Sequence, residues 1–233
     1  MYSEKYISKE FGYFWRICLP GLTTNAIAAL KEGELSVASI SNWEEQLQTS
    51  VPSKFNDLIA ELAFNSFASC VLSNNKKSND NLISQDDIHS AIGKISAIRG
   101  RTISVSEVTI EMLRDSLILR RRLLDHFAEK KVPTIINPRL QGYGKLSTCH
   151  ADMISGTSLI EIKSSKFFFR INDFRQLSLY AFLSLEAEIP IDNLVLINPR
   201  RGEKITFPIG SFFRYFGHAD SRHTLEKMRN KLV

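Results

Sequence analysis

The chain reads as an α/β protein: a mixed sheet flanked by helices, with a largely helical N-terminal region ahead of it. Three observations carry that reading. Residues Met1 to about Lys131 offer capping residues and helical apolar stripes and read as almost all helix. Val132 to Phe207 holds short runs rich in branched residues, separated by Gly, Asn and Pro turns. Between those runs lies one long apolar stretch, Asn172 to Glu186, which has the length of a helix and is apolar nearly all round, as a buried helix is. The boundary falls with 1–103 as the helical region and 104–233 as the core, either as two parts or as one continuous domain.

Taken in order, Tyr2 to Cys18 is aromatic-rich, and Leu19-Pro20-Gly21 ends whatever helix it forms. Thr23 or Thr24 can cap a helix to Lys31, and Ser41 one over Asn42 to Gln48. Lys54 to Leu72 carries the stripe Phe55, Leu58, Ile59, Leu62, Phe67 and Val71, with Asp57, Glu61 and Asn65 on another face. Ser73 to Asn81 is a polar loop of mobile composition. Ser84, with Asp86 and Asp87 behind it, starts a helix that runs to Arg99 before Gly100. The capping box Ser104-x-x-Glu107 then predicts a long helix from Val105 to about Lys130, whose stripe Ile110, Leu113, Leu117, Leu124 and Phe127 faces the sheet. Arg120, Arg121 and Arg122 are consecutive, so they point around that helix and have a mixed, mostly solvated role.

The strand region opens with Val132 to Leu140 and turns at Gln141 to Gly144. Leu146 to Ile154 alternates as a half-buried strand, Ser155-Gly156-Thr157 is a turn, and Ser158 to Lys163 is a second strand. Leu194 to Ile197 and Lys204 to Phe207 predict a further hairpin at the sheet edge, and Ser211 to Phe216 and Ser221 to Leu232 are helical.

The hairpin built on Gly156 carries the chemistry. With a period of two, His150 and Asp152 share one face, Glu161 and Lys163 share one face, and Ile160 and Ile162 fill the opposite one. If the register pairs the polar faces, two carboxylates and an ammonium converge. Magnesium takes oxygen ligands and is commonly held by one or two carboxylates together with substrate phosphate. Asp152 and Glu161 supply the carboxylates and the backbone carbonyl of Ile162 a third oxygen. Lys163 stands where it can orient the attacking water or stabilise the phosphate. His150 can contact substrate or metal-bound water, or be a satisfied core histidine. Gln176 and Tyr180 follow one helical turn apart, and Gln176 can hydrogen-bond a site water, a carboxylate, a phosphate or a backbone group.

Asp152, then Glu161-Ile162-Lys163, then Gln176-Leu177 with Tyr180 resembles the PD-(D/E)xK nuclease superfamily, most closely its RecB-like branch, over about Thr134 to Pro208. The resemblance implies a restriction-endonuclease-like core and Mg²⁺- or Mn²⁺-dependent cleavage of DNA, with RNA left open and with Asp152, Glu161, Lys163, Gln176 and Tyr180 as the site. It also implies a glutamate from an early helix in the metal shell. Glu61 is the candidate, against the plain reading of a solvated helix-face carboxylate. Members often carry glycine three residues before the aspartate, where this chain has Cys149. The alternative in another class is a catalytically idle nucleic-acid-binding or scaffolding subunit of a larger complex that keeps the fold.

With 233 residues, 43% of them hydrophobic, the chain can bury a full core, and it has no apolar run long enough to span a bilayer and no signal-peptide order at its start. A cytoplasmic location is expected. Cys18, Cys70 and Cys149 are scattered and too few for a four-cysteine iron-sulfur cluster, so none is expected. The net charge of +5 favours a polyanionic partner. Lys166, Arg170 and Arg175, and again Arg200, Arg201 and Lys204, are candidates for tracking its phosphates, each against the reading of an ordinary solvated side chain. No phosphate-loop or dinucleotide glycine pattern is present, so any ATP-driven step needs protein partners, as in a larger nucleic-acid-processing, repair or phage-defence system.

Overall fold

The computed structural model describes residues 1–73, 82–100, 102–128 and 132–233. The N-terminal part runs α1 (Glu4–Glu10), α2 (Gly12–Cys18), α3 (Thr24–Lys31), a strand β1 (Ser39–Asn42), then α4 (Asn56–Leu72), α5 (Gln85–Arg99) and α6 (Ile110–Ala128). Strands β2 (Thr134–Ile136), β3 (Arg139–Leu140), β4 (Cys149–His150), β5 (Met153–Ser155) and β6 (Ser158–Ile162) follow. The chain ends with α7 (Ile171–Glu186), β7 (Asn193–Asn198), β8 (Glu203–Pro208), α8 (Ile209–Gly217) and α9 (Ser221–Leu232). No described helix is long and apolar enough to cross a membrane.

Helix starts follow their caps. The side chains of Ser3, Thr23, Ser84 and Asp220 each accept a backbone N–H three residues on, which satisfies one of the donors a helix leaves orphaned. Gly100 ends α5 in the left-handed conformation.

The main sheet has six strands in the order β1-β8-β7-β6-β5-β2, and only β6 and β7 run parallel. Parallel neighbours need a crossover, and α7 is that crossover. Alternation along the strands divides the core. Leu159, Leu194, Leu196, Ile205 and Phe207 join residues of α7, α8, α9 and the first three helices on one face. Met153, Ile160, Val195 and Ile197 meet Phe64 and Phe67 of α4 and Leu123 of α6 on the other. A further apolar cluster binds α4, α5 and α6 together.

Several expectations are corrected. Ser41 caps no helix: Ser39–Asn42 is a strand that pairs with β8, so the β7–β8 hairpin is covered at its outer side and the first 103 residues contribute an edge to the sheet. The capping box at Ser104 closes a separate 3₁₀ turn, Val105–Glu107, and α6 begins at Ile110, which is exposed. The polar loop from Ser73 to Asn81 lies outside the described residues from 74 onward, as does the expected helix end at Lys130.

The two strands predicted as continuous, Val132 to Leu140 and Leu146 to Ile154, are each broken at the same level. Asn137 has a φ of 50°, Pro138 has no N–H to give, and opposite them the chain bends at Asp152. The outer halves, β3 and β4, form a separate two-stranded sheet, while β2 and β5 stay in the main one.

Two of the three consecutive arginines are buried rather than solvated. Arg120 reaches the Ser66 hydroxyl and the Leu82 carbonyl. Arg122 donates to the carbonyls of Pro199 and Glu45, both at 2.8 Å, and to Glu44, so it ties the segment after β1 to the turn after β7. Arg122→Ala is expected to cost about 3 kcal/mol in denaturant unfolding, because buried acceptors lose their donor. The exposed Arg121→Ala should stay within about 0.5 kcal/mol of the wild type. Equal losses in the two variants would refute the clamp.

Candidate active site

The strand break moves Asp152 from a ladder position to the mouth of the sheet. Met153 stands opposite Ile160, so Asp152 comes level with Glu161. Its side chain replaces the missing ladder bond: Oδ2 accepts the Ile162 N–H at 2.7 Å, and its carbonyl accepts the Asn137 N–H at 2.9 Å. A strand residue's N–H and C=O point to the same side, so the Ile162 carbonyl also faces the Asp152 side.

Glu161 lies in β6 among the core residues and is 4% exposed. One oxygen, Oε1, accepts from the Lys163 ammonium at 2.6 Å, while Oε2 is buried and meets no hydrogen-bond donor among the described residues. Burial, followed by the charge of Asp152, drives the Glu161 pKa up, and Lys163 offsets only part of that rise. Lys163 itself is pushed the other way from what burial alone would do: Glu161, Asp173 and Asp152 outweigh desolvation and raise its pKa, so it stays an ammonium. An ammonium has three protons to donate and no lone pair with which to take one.

Helix α7 supplies the next layer. Gln176 Oε1 accepts from Lys163 at 2.7 Å, and its Nε2 donates to the Tyr180 hydroxyl at 2.8 Å, one turn further along. Asp173 lies 3.9 Å from Lys163 and accepts the Arg170 N–H, closing the start of the helix. Tyr180 is held neutral, its pKa raised by burial and then by Glu161 and Glu4.

Glu4, in the first turn of α1, completes this network: its Oε1 is 3.4 Å from both Tyr180 Oη and Gln176 Nε2. Sequence reasoning missed it. It stands 172 positions from Gln176, and nothing in the sequence near it marks it beyond the Ser3 cap. The Cys149 thiol, at the position of the glycine in the resemblance, is pushed up to about 12 by burial, then by Glu4 and Glu161, which keeps it a neutral packing group.

On the other side of Asp152 is a cavity of about 100 Å³ lined by Glu61, Lys94, Asp152, Ile162 and Ser164 among others. Glu61, on α4, therefore faces the same space as Asp152 and Ile162, and Lys94 pairs with it at 2.7 Å. Among the described residues no three His, Cys, Asp or Glu side chains form a ready-made metal cage.

The remaining predicted residues divide. His150 is exposed on β4, opposite Arg139, in the two-stranded sheet and not in the main one that carries Glu161. Arg175 is turned to the interior between helices, donating to the Ser8 carbonyl and lying over the Trp15 ring, with burial lowering its pKa. Arg200 is 2% exposed and lies near Asp115, so it is not available to track phosphates. Arg201 is forked onto Glu203. Lys204 is half-buried and lines a cavity with His126 on the α4 and α6 face, away from Glu161. Lys166 and Arg170 are exposed, as expected.

No protein-family model matches this chain, and no curated protein matches it.

Without divalent ions, Asp152→Asn is expected to unfold at the same or a higher urea concentration than the wild type. It keeps an acceptor for the Ile162 N–H and removes a charge facing Glu161. Asp152→Ala loses that acceptor and should be about 1–2 kcal/mol less stable. Asn behaving no better than Ala would show that Asp152 does not brace the strand end.

Proposed function

We propose that this chain is a metal-dependent nuclease of the PD-(D/E)xK superfamily, in the manner of its RecB-like branch, hydrolysing DNA phosphodiester bonds with Mg²⁺ or Mn²⁺. The observation that carries the reading is the buried Oε2 of Glu161, which meets no hydrogen-bond donor among the described residues and faces a second carboxylate, Asp152. A buried carboxylate is strongly unfavourable unless its charge is compensated, and the one ammonium of Lys163 is shared between two carboxylates. A hard divalent cation takes this donor set: two carboxylates, the Ile162 carbonyl on the Asp152 side, and substrate phosphate. Glu61 faces the adjoining cavity and is placed to add a carboxylate or to order a metal-bound water there.

An ion held there would lower the pKa of a bound water and neutralise charge developing on the phosphate. The protein's own part is positional and electrostatic. Lys163, fixed between Glu161 Oε1 and Gln176 Oε1, keeps its proton and directs it at an oxygen of the reacting phosphate or at the attacking water. Gln176 is oriented by Tyr180, and Tyr180 by Glu4, so the ammonium is held by a chain of hydrogen bonds reaching the N-terminal helix. A cytoplasmic location, and service as the nuclease part of a larger nucleic-acid-processing or defence system, belong to the same proposal.

Titration calorimetry with Mn²⁺ and a cleavage assay over single-stranded, duplex and branched DNA test it together. Asp152→Ala and Glu161→Ala are expected to abolish both ion binding and cleavage. Lys163→Met should retain ion binding while cleavage falls about 10²–10³-fold, the usual loss for a group acting on developing charge. Wild-type Mn²⁺ affinity in either carboxylate variant would sink that ligand, and wild-type cleavage in the lysine variant would reduce Lys163 to a structural partner of Glu161.

A further inference from the structure

The segment between β6 and α7 leaves the site at Lys163 and carries an unusual surface feature four residues on. Phe167 is 52% exposed, and the Lys166 ammonium and the Arg170 guanidinium lie over its ring, 5.1 Å and 5.5 Å from the centroid, on long exposed side chains that can turn from the ring to a phosphate. A single exposed apolar residue is ordinary on any surface. What separates this one is how firmly the backbone beneath it is held. Asn198, fully buried at the end of β7, donates its Nδ2 protons to the carbonyls of Ser165 at 2.8 Å and Phe167 at 3.3 Å. Arg201, braced on Glu203, donates to the intervening Lys166 carbonyl at 3.2 Å. Three successive carbonyls of an irregular segment are thus fixed from below. The next two residues, Phe168 and Phe169, turn into the core, which leaves Phe167 as the ring that faces out.

We propose that Phe167, flanked by Lys166 and Arg170, is a stacking platform for an unpaired base, so that the strand entering the active site is engaged as single-stranded DNA. The proposal rests on the nuclease reading above and names the form of the substrate. A ring in a pre-fixed loop loses little conformational entropy on binding. Every base has a π-face to lay on it, whereas bases in a duplex are already stacked on each other. The two cations supply backbone attraction that does not depend on strandedness. Four residues span at most about 14 Å, so the platform lies within reach of the nucleotides next to the scissile phosphate.

The test is fluorescence anisotropy of the full chain with a labelled oligothymidylate and with a duplex of equal length, in EDTA so that nothing is cut. Phe167→Ala is expected to weaken single-strand binding about tenfold, a stacking contribution of ordinary size. It should leave duplex affinity and the unfolding midpoint unchanged, and Phe167→Trp should restore single-strand binding. Lys166→Ala with Arg170→Ala should weaken both DNA forms and flatten the salt dependence. Wild-type single-strand affinity in Phe167→Ala, or an equal loss on duplex, overturns the platform while leaving the nuclease reading intact. A wild-type chain that binds neither DNA form also overturns the platform, while the nuclease reading stands or falls by the Mn²⁺ titration and the cleavage assay above.

Discussion

Burying Glu161 against Asp152 is costly, and the site is built around keeping it in place. A carboxylate inside a core is tolerated only when its oxygens find partners, and Glu161 has one partner, Lys163, for one oxygen. That single ion pair does two things at once. It keeps the glutamate near ionisation, and it holds the lysine where it can be used. Lys163 in turn fixes Gln176, Gln176 meets Tyr180, and Tyr180 meets Glu4, so the N-terminal helix and α7, far apart in sequence, are joined to one charged pair. Local instability of this kind persists only where the surroundings over-determine it. Here they do, because the same strand buries Leu159 on the Glu161 side and Ile160 on the other.

Topology decides why these groups meet at one end of the sheet. The parallel pair β6 and β7 sends both strands out at their C-terminal ends together, and open sheets place ligands at that end. Lys163 still belongs to the pair, giving its N–H to the Ile197 carbonyl one step past the named strand. Asn198 follows on β7, and its side chain holds the segment that Lys163 leads into. The crossover α7 must return over the same face, which brings Gln176 and Tyr180 down onto the lysine. On the antiparallel side, the break at Asn137 and Pro138 releases Asp152 from the ladder, so that its carboxylate and not its backbone meets β6.

Those parts of the site that depend on short spacing were legible in the sequence. Glu161 and Lys163 lie two apart on a strand, Gln176 and Tyr180 four apart on a helix, and local periodicity alone orients each pair. The convergence of these pairs follows from one hairpin turn at Gly156 and one crossover. His150 lies on β4 in the separate two-stranded sheet, because period-two reasoning assumes an unbroken strand and here the chain bends at Asp152, opposite a left-handed Asn137 followed by Pro138. Glu4 could not be found at all, since its role exists only once α1 packs on α7. Strand β1 was hidden for a similar reason: Ser39 to Asn42 has little intrinsic strand character and is extended because β8 offers it an edge.

The arginines show how far net charge can mislead. An excess of five positive charges reads as a surface for polyanions, yet Arg120, Arg122 and Arg200 are buried and Arg201 is committed to Glu203. Guanidinium suits this interior use, because its planar fork of five donors can satisfy several carbonyls of irregular chain at once. Arg122 ties the turn after β7 to the segment after β1, and Arg201 holds the loop beyond Lys163. These cations stiffen the walls of the site from within, and stiffness is what a site of pre-set charges requires, since groups that must reorganise during a reaction lose much of their electrostatic effect. The positive charge that faces outward near the site is correspondingly local, Lys166 and Arg170 on one pinned loop, and its placement carries more information than the total.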